Sequence, residues 1–143
     1  MKQNRRAQGY IYALGWLACA GFNGLAQASQ KTWQSEQTGP PLHAGATQRT
    51  QVFQPPRQPP VSGVITNVQI GFRYAGPAVL KTQLCHQRSG KCVPVYGSSL
   101  ETSAFQGLDA NSMFMLKHAL WSWAGPSSEL HIRSHLQVRY QSQ

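Results

Sequence analysis

The clearest strand pattern in the chain is "GVITNVQIGFRY", Gly63 to Tyr74. Apolar and aromatic side chains recur at every second position, and polar residues or glycine fill most positions between them. This period of two is typical of a β-strand with one buried side and one side facing solvent. We expect the buried side to carry Val64, Thr66, Val68, Ile70, Phe72 and Tyr74, and the other side to carry Asn67, Gln69, Gly71 and Arg73.

The C-terminal segment "LHIRSHLQVRY", residues 130–140, alternates in the same way. It predicts a second half-buried strand with a basic outer face, on which Arg133 and Arg139 are candidates for contact with an acidic partner. His131 and His135 have the spacing of two metal ligands on a helix, but four residues of a strand span about 13 Å. We therefore expect surface histidines and no metal site.

The segment "AVLKTQLCHQRSGKCVPVY", residues 78–96, predicts a β-hairpin. If residues 87–90 form a four-residue loop on a type I turn, Gly90 takes the left-handed position and Cys85 lies opposite Cys92. Opposed cysteines can bond without movement of the backbone. A metal site would need two more ligands, and the local candidate His86 points to the other face of the strand. A redox pair is more usually a C-x-x-C at the start of a helix. We predict a structural disulfide.

The segment "NSMFMLKHALWSW", residues 111–123, fits both a helix and a strand because nearly every position is apolar. We expect a strand because the surrounding segments alternate. Trp121 and Trp123 then share one face and are candidates for binding a partner, although packing on the core is the commoner role of such residues.

Residues 29–60 are polar and rich in proline, and we expect most of this segment to be an extended, irregular lead-in to the main strands of residues 61–143. Trp33 is expected to hold an early edge strand against the core. The expected fold class is all-β, a small antiparallel sandwich or barrel-like domain with one disulfide-closed hairpin.

The N-terminus has the three parts of a secretory signal. The basic residues Lys2, Arg5 and Arg6 precede a short apolar stretch, residues 10–22, and "AQA" at residues 26–28 supplies small residues for cleavage. We predict a cleaved signal peptide over residues 1–28 and a single periplasmic β-domain over residues 29–143. An uncleaved anchor, a twin-arginine signal and a lipidated Cys19 fit less well. Export also delivers the chain to an oxidising space, where Cys85 and Cys92 would pair.

The composition points away from nucleic acid and from catalysis. The chain has 13 Lys and Arg against 4 Asp and Glu, a net charge of +9, which favours acidic partners. The basic residues form no run beyond the signal and no nucleic-acid-binding signature. The sequence contains no G-x-S-x-G, H-E-x-x-H or S-x-x-K motif, and its acids are scattered. We predict a protein that is not an enzyme and that needs no cofactor or metal.

Several blocks resemble the FlhE flagellar proteins of Gram-negative bacteria. They are Trp33-Gln34, "RQPPVSGV" at 57–64, "FRYAGP" at 72–77, "LKTQLCHQRSGKCVPVYG" at 80–97 and "LHIRSHLQVRY" at 130–140. The resemblance implies a periplasmic accessory protein of flagellum assembly, a chaperone or regulator whose partners are rod or export-apparatus proteins. The alternative is a periplasmic carbohydrate-binding module for peptidoglycan, with Trp121 and Trp123 as its platform. Dimerisation through an exposed edge strand stays open.

Overall fold

The computed structural model describes residues 29–43, 48–123 and 129–143, and the predicted signal peptide with Cys19 lies outside them. All regular elements of these residues are strands. Their bounds are β1 Gln30–Thr38, β2 Leu42–His43, β3 Gln48–Phe53, β4 Val64–Arg73, β5 Ala78–His86, β6 Cys92–Val95, β7 Ser99–Thr102, β8 Phe114–Trp123, β9 Glu129–Leu130 and β10 Arg133–Gln141. No helix with the length and apolarity to cross a membrane occurs in this described part.

The strands form two four-stranded antiparallel sheets and one short pair, β2-β9. We call the sheet β1-β10-β4-β7 the front sheet and the sheet β3-β8-β5-β6 the back sheet. The inward side chains of both sheets belong to one apolar core, in which Trp33 of the front sheet contacts Phe114 of the back sheet with ring centroids 6.3 Å apart. The predicted all-β sandwich is confirmed.

Strand β4 follows the predicted alternation over most of its length, with Val68, Ile70 and Phe72 buried. Its beginning does not, because the pairing with β10 shifts by one residue: Arg139 pairs with Asn67 and Tyr140 with Ile65. Thr66 is thus the extra residue of a β-bulge, which reverses the side-chain alternation before it. The buried residue is Ile65, and the prediction that Val64 and Thr66 face the core was wrong.

The proline-rich lead-in is more ordered than we expected. It supplies β1, at one edge of the front sheet, and β3, at one edge of the back sheet. Trp33 anchors β1 as predicted, since its ring is buried and its Nε1 donates a hydrogen bond to the carbonyl of Ala110 at 3.1 Å. An edge strand pairs on one side only, so a polar sequence with one buried anchor can form it. The proline-rich residues 54–60 stay outside the strands, as expected.

The hairpin and the ambiguous apolar segment have the predicted structure. Cys85 pairs with Cys92 across β5 and β6, and the two sulfurs are bonded. Gly90 has a φ of 71°, the left-handed conformation that the turn requires, and the backbone N–H of His86 donates to the carbonyl of Lys91 at 2.8 Å. Residues 114–123 form strand β8, the centre of the back sheet between β3 and β5.

Candidate functional site

The four predicted partner-binding residues lie in different sheets. Trp121 and Trp123 belong to β8 of the back sheet, whereas Arg133 and Arg139 belong to β10 of the front sheet. The arginines alternate with the buried residues of β10 and therefore face outward. The structure thus offers two separate outer faces, one on each sheet, as candidate binding surfaces.

Trp121 and Trp123 do not share one face of the sheet, contrary to our prediction. Leu80 pairs with Leu120 and Val79 pairs with Ser122, which leaves Trp121 as the extra residue of a bulge. Because of the bulge, the side chains that follow Trp121 on β8 point to the opposite face from the one expected for a regular strand. Trp121 is 66% exposed, while Trp123 is partly buried and packs against the core.

The outer face of the front sheet is polar and carries both signs of charge. The guanidinium of Arg133 lies 3.6 Å from the carboxylate of Glu36 on β1, and both side chains are largely exposed. Arg139 lies between Thr32 and Asn67 on the neighbouring strands and is partly buried. The basic row predicted for β10 is therefore present, but its two arginines have different surroundings.

The outer face of the back sheet carries the exposed large apolar residues of the described chain. They are Val52, Val79, Tyr96 and Trp121. The strand register orders this face into cross-strand rows. The first row holds Val52, Met115 and the Cys85–Cys92 disulfide, the second Thr50, Lys117, Gln83 and Pro94, and the third Gln48, Ala119 and Lys81.

A concave site of about 620 Å³ crosses the second and third rows, and we call it the back-face groove. Tyr96, which follows β6 and is 82% exposed, lines one side of it. The ammonium group of Lys81 lines the groove and lies 3.5 Å from the ring centroid of Trp121. This is a cation–π contact, and it joins Trp121 to the edge of the groove.

A buried polar network lies beneath the groove and connects the two sheets. His118 of β8 is 1% exposed; its Nδ1 lies 2.9 Å from Thr82 Oγ1 and its Nε2 lies 3.2 Å from Gln51 Oε1. The amide nitrogen of Gln51 donates to the carbonyl of Ile132 at 2.9 Å, so its Oε1 accepts from His118. His118 is therefore protonated at Nε2 and accepts the Thr82 hydroxyl proton at Nδ1. The hydroxyl of Ser134 on the front sheet also donates to Gln51 Oε1.

Burial lowers the pKa of His118 from 6.5 to about 4. The ring also meets Phe72 edge to face, with centroids 5.0 Å apart. At neutral pH this histidine is therefore uncharged, and its hydrogen bonds are consistent with a structural role. Our sequence reasoning missed the network, although Gln51, Thr82 and His118 occupy inward positions of their strands, where a polar residue signals a buried partner.

His86 is a second structural histidine. Its Nδ1 accepts the backbone N–H of Ser89 at 3.2 Å, and its Nε2 therefore donates to the carbonyl of Asp109 at 2.9 Å. The ring meets Phe114 with centroids 5.3 Å apart. Neither this region nor any other of the described residues gathers three or more His, Cys, Asp or Glu side chains that could hold a metal.

The fold and its surfaces define a small antiparallel β-sandwich domain with a disulfide-closed hairpin and two chemically distinct outer faces. The sequence model of the flagellar protein FlhE family matches residues 39–140. The chain belongs to the FlhE family.

Comparison with solved structures agrees with this assignment. A crystal structure of FlhE superposes with a TM-score of 0.64 and 25% sequence identity, covering 79% of this chain and 98% of that one. The serine protease of Aeromonas sobria shares the fold alone. Its complex with the chaperone ORF2 matches with a TM-score of 0.59 at 8% identity, covering 80% of this chain and 28% of that chain. The protease structure matches with a TM-score of 0.56 at 7% identity, covering 78% and 27%. No curated protein matches in sequence.

Proposed function

We propose that this protein is a periplasmic accessory factor of flagellum assembly. In this role it acts by binding, as a chaperone or regulator of rod or export-apparatus proteins, and not as an enzyme. The observation that carries the proposal is the match of the FlhE family over residues 39–140.

Two further observations support the periplasmic location. The first 28 residues have the basic, apolar and small-residue parts of a secretory signal. The bond between Cys85 and Cys92 fits an oxidising compartment, in which such pairs form and persist.

The outward arginines of β10 are our candidates for the contact with the flagellar partner. Arg133 and Arg139 lie on the exposed side of a central strand, so they can meet acidic groups of another protein without any change in the core. Glu36 already contacts Arg133, and an acidic partner would compete with it.

Deletion of the gene and complementation test the proposal. The deletion strain should show altered flagellation or motility, and the full chain should restore the wild-type phenotype. A chain that lacks residues 2–28 but keeps a start methionine should be made and should fail to restore it, because the protein would stay outside the periplasm. Normal flagella and motility in the deletion strain would contradict the proposed role, and full rescue by the leaderless chain would contradict the location.

A further inference from the structure

We propose that the back-face groove binds an acidic polysaccharide, a chain of sugar rings that carry carboxylates. This inference goes beyond the proposed flagellar role and does not depend on it. It rests on the charge, the aromatic residues, the hydrogen-bonding groups and the shape of the groove.

The groove is positively charged, and no acidic residue on the strands of the back sheet balances this charge. Strands β3, β5, β6 and β8 contain no Asp or Glu. Lys81 and Lys117 line the groove, and within the described part of the chain neither makes an ion pair. A carboxylate that enters the groove would meet two ammonium groups and no acidic residue of these strands.

Aromatic side chains flank the groove on its exposed side. Tyr96 is 82% exposed and Trp121 is 66% exposed. Large aromatic rings are more stable when they are removed from water, so their exposure here is unusual. Lys81 lies against Trp121 and leaves most of the indole accessible. Rings that combine an apolar face with a polar edge suit the apolar face and hydroxyl rim of a sugar.

The hydrogen-bonding groups of the groove are side chains. The central strands β5 and β8 are paired on both sides, so their backbone groups are already used by neighbouring strands. The outward side chains Gln48, Thr50 and Gln83 line the groove and can donate to or accept from hydroxyls. An extended peptide added to a sheet relies on free backbone groups, which the central strands β5 and β8 lack. The arrangement therefore favours a hydroxyl-rich ligand over a peptide.

The shape of the groove supports the same ligand class. Its volume of about 620 Å³ lies in the range of sites that hold small ligands. It runs across the rows of the second and third cross-strand pairs, from Gln48 and Thr50 on β3 to Pro94 on β6.

The test uses purified residues 29–143 at physiological salt and follows tryptophan fluorescence and co-sedimentation. The probes are polygalacturonate, peptidoglycan sacculi, neutral dextran and polyglutamate. We expect saturable binding of polygalacturonate but not of dextran or polyglutamate. Co-sedimentation with sacculi would identify the cell wall as a source of the ligand, and binding of polygalacturonate alone would indicate another acidic glycan.

The variants compare the two faces at equal change in charge. Lys81→Glu with Lys117→Glu should weaken binding by about tenfold or more, and Tyr96→Ala by about threefold or more. Arg133→Glu with Arg139→Glu on the other sheet should leave it unchanged, because charges on the far face are screened. The proposal is overturned if no acidic glycan binds, if polyglutamate binds equally well, or if the arginine variant loses as much affinity as the lysine variant. Circular dichroism of each variant establishes that it is folded.

Discussion

At the residue scale, His118 should make the stability of the domain depend on pH. Its pKa is lowered to about 4 by burial, whereas in the unfolded chain it titrates near 6.5. As the pH falls from 6.5 towards 4, the unfolded state takes up a proton that the folded state does not. The free energy of unfolding therefore decreases. The loss attributable to this residue reaches about 3 kcal/mol at pH 4 and is absent above pH 7.

Urea unfolding between pH 7.5 and pH 4 measures this effect. His118→Gln should be less stable at pH 7.5 but should lose less further stability on acidification than the wild type. His135→Gln is the control, because His135 lies on the outer side of β10, where its Nε2 lies 3.3 Å from Gln34 Oε1. Equal pH dependence in the wild type and His118→Gln would show that another group is responsible.

The bulge in β4 leads to a second prediction at this scale. Ile65 is 1% exposed, whereas its neighbour Val64 is only partly buried. Ile65→Ala should therefore lower the free energy of unfolding by about 2–4 kcal/mol, and Val64→Ala by less than about 1.5 kcal/mol. Chemical denaturation of the two variants checks this, and a larger cost at Val64 would place the bulge elsewhere.

These residues also show where prediction from sequence stops. The opposition of Cys85 and Cys92 could be predicted, because a short turn with Gly90 fixes the register of its own hairpin. The positions of Thr66 and Trp121 could not, because a bulge depends on how a strand matches a distant neighbour. Next to each bulge, side chains point to the opposite face of the sheet from the one that we predicted.

At the element scale, the disulfide closes the β5–β6 hairpin over a sequence separation of 7 residues. A loop of this length restricts the unfolded chain and should stabilise the domain by about 2–3 kcal/mol. Reduction, or the double substitution Cys85→Ala with Cys92→Ala, should shift the urea midpoint accordingly. The reductant should have no effect on the double variant, and a reductant effect there would reveal an unrelated cause.

For the edge strands, too, prediction from the sequence is limited by pairing with distant strands. β4 and β10 could be predicted because each alternates by itself and lies between two neighbours. β1 and β3 could not be predicted in full, since their polar sequences acquire order by pairing with β10 and β8. The helix or strand ambiguity of residues 114–123 was resolved correctly only by the alternation of the segments around it.

At the scale of the whole molecule, the sandwich places the predicted binding arginines and tryptophans on two separate surfaces. The front face is polar and of mixed charge, with Arg133 beside Glu36. The back face has exposed aromatic residues and two lysines around a groove. Because the core lies between them, substitutions on one face should leave the other intact.

Because the two faces are separate, their roles can be distinguished in cells. Arg133→Glu with Arg139→Glu should impair motility, because the proposed acidic contact of the front face would become repulsive, while the fold remains because neither side chain lies in the core. Lys31→Glu with Lys91→Glu, an equal change at two exposed positions outside β10, is the control and should swim normally. Motility on soft agar and periplasmic protein levels are measured together. If the arginine variant swims like the wild type and Trp121→Ala does not, the flagellar partner binds the back face instead, because only that substitution removes an exposed ring from the edge of the groove.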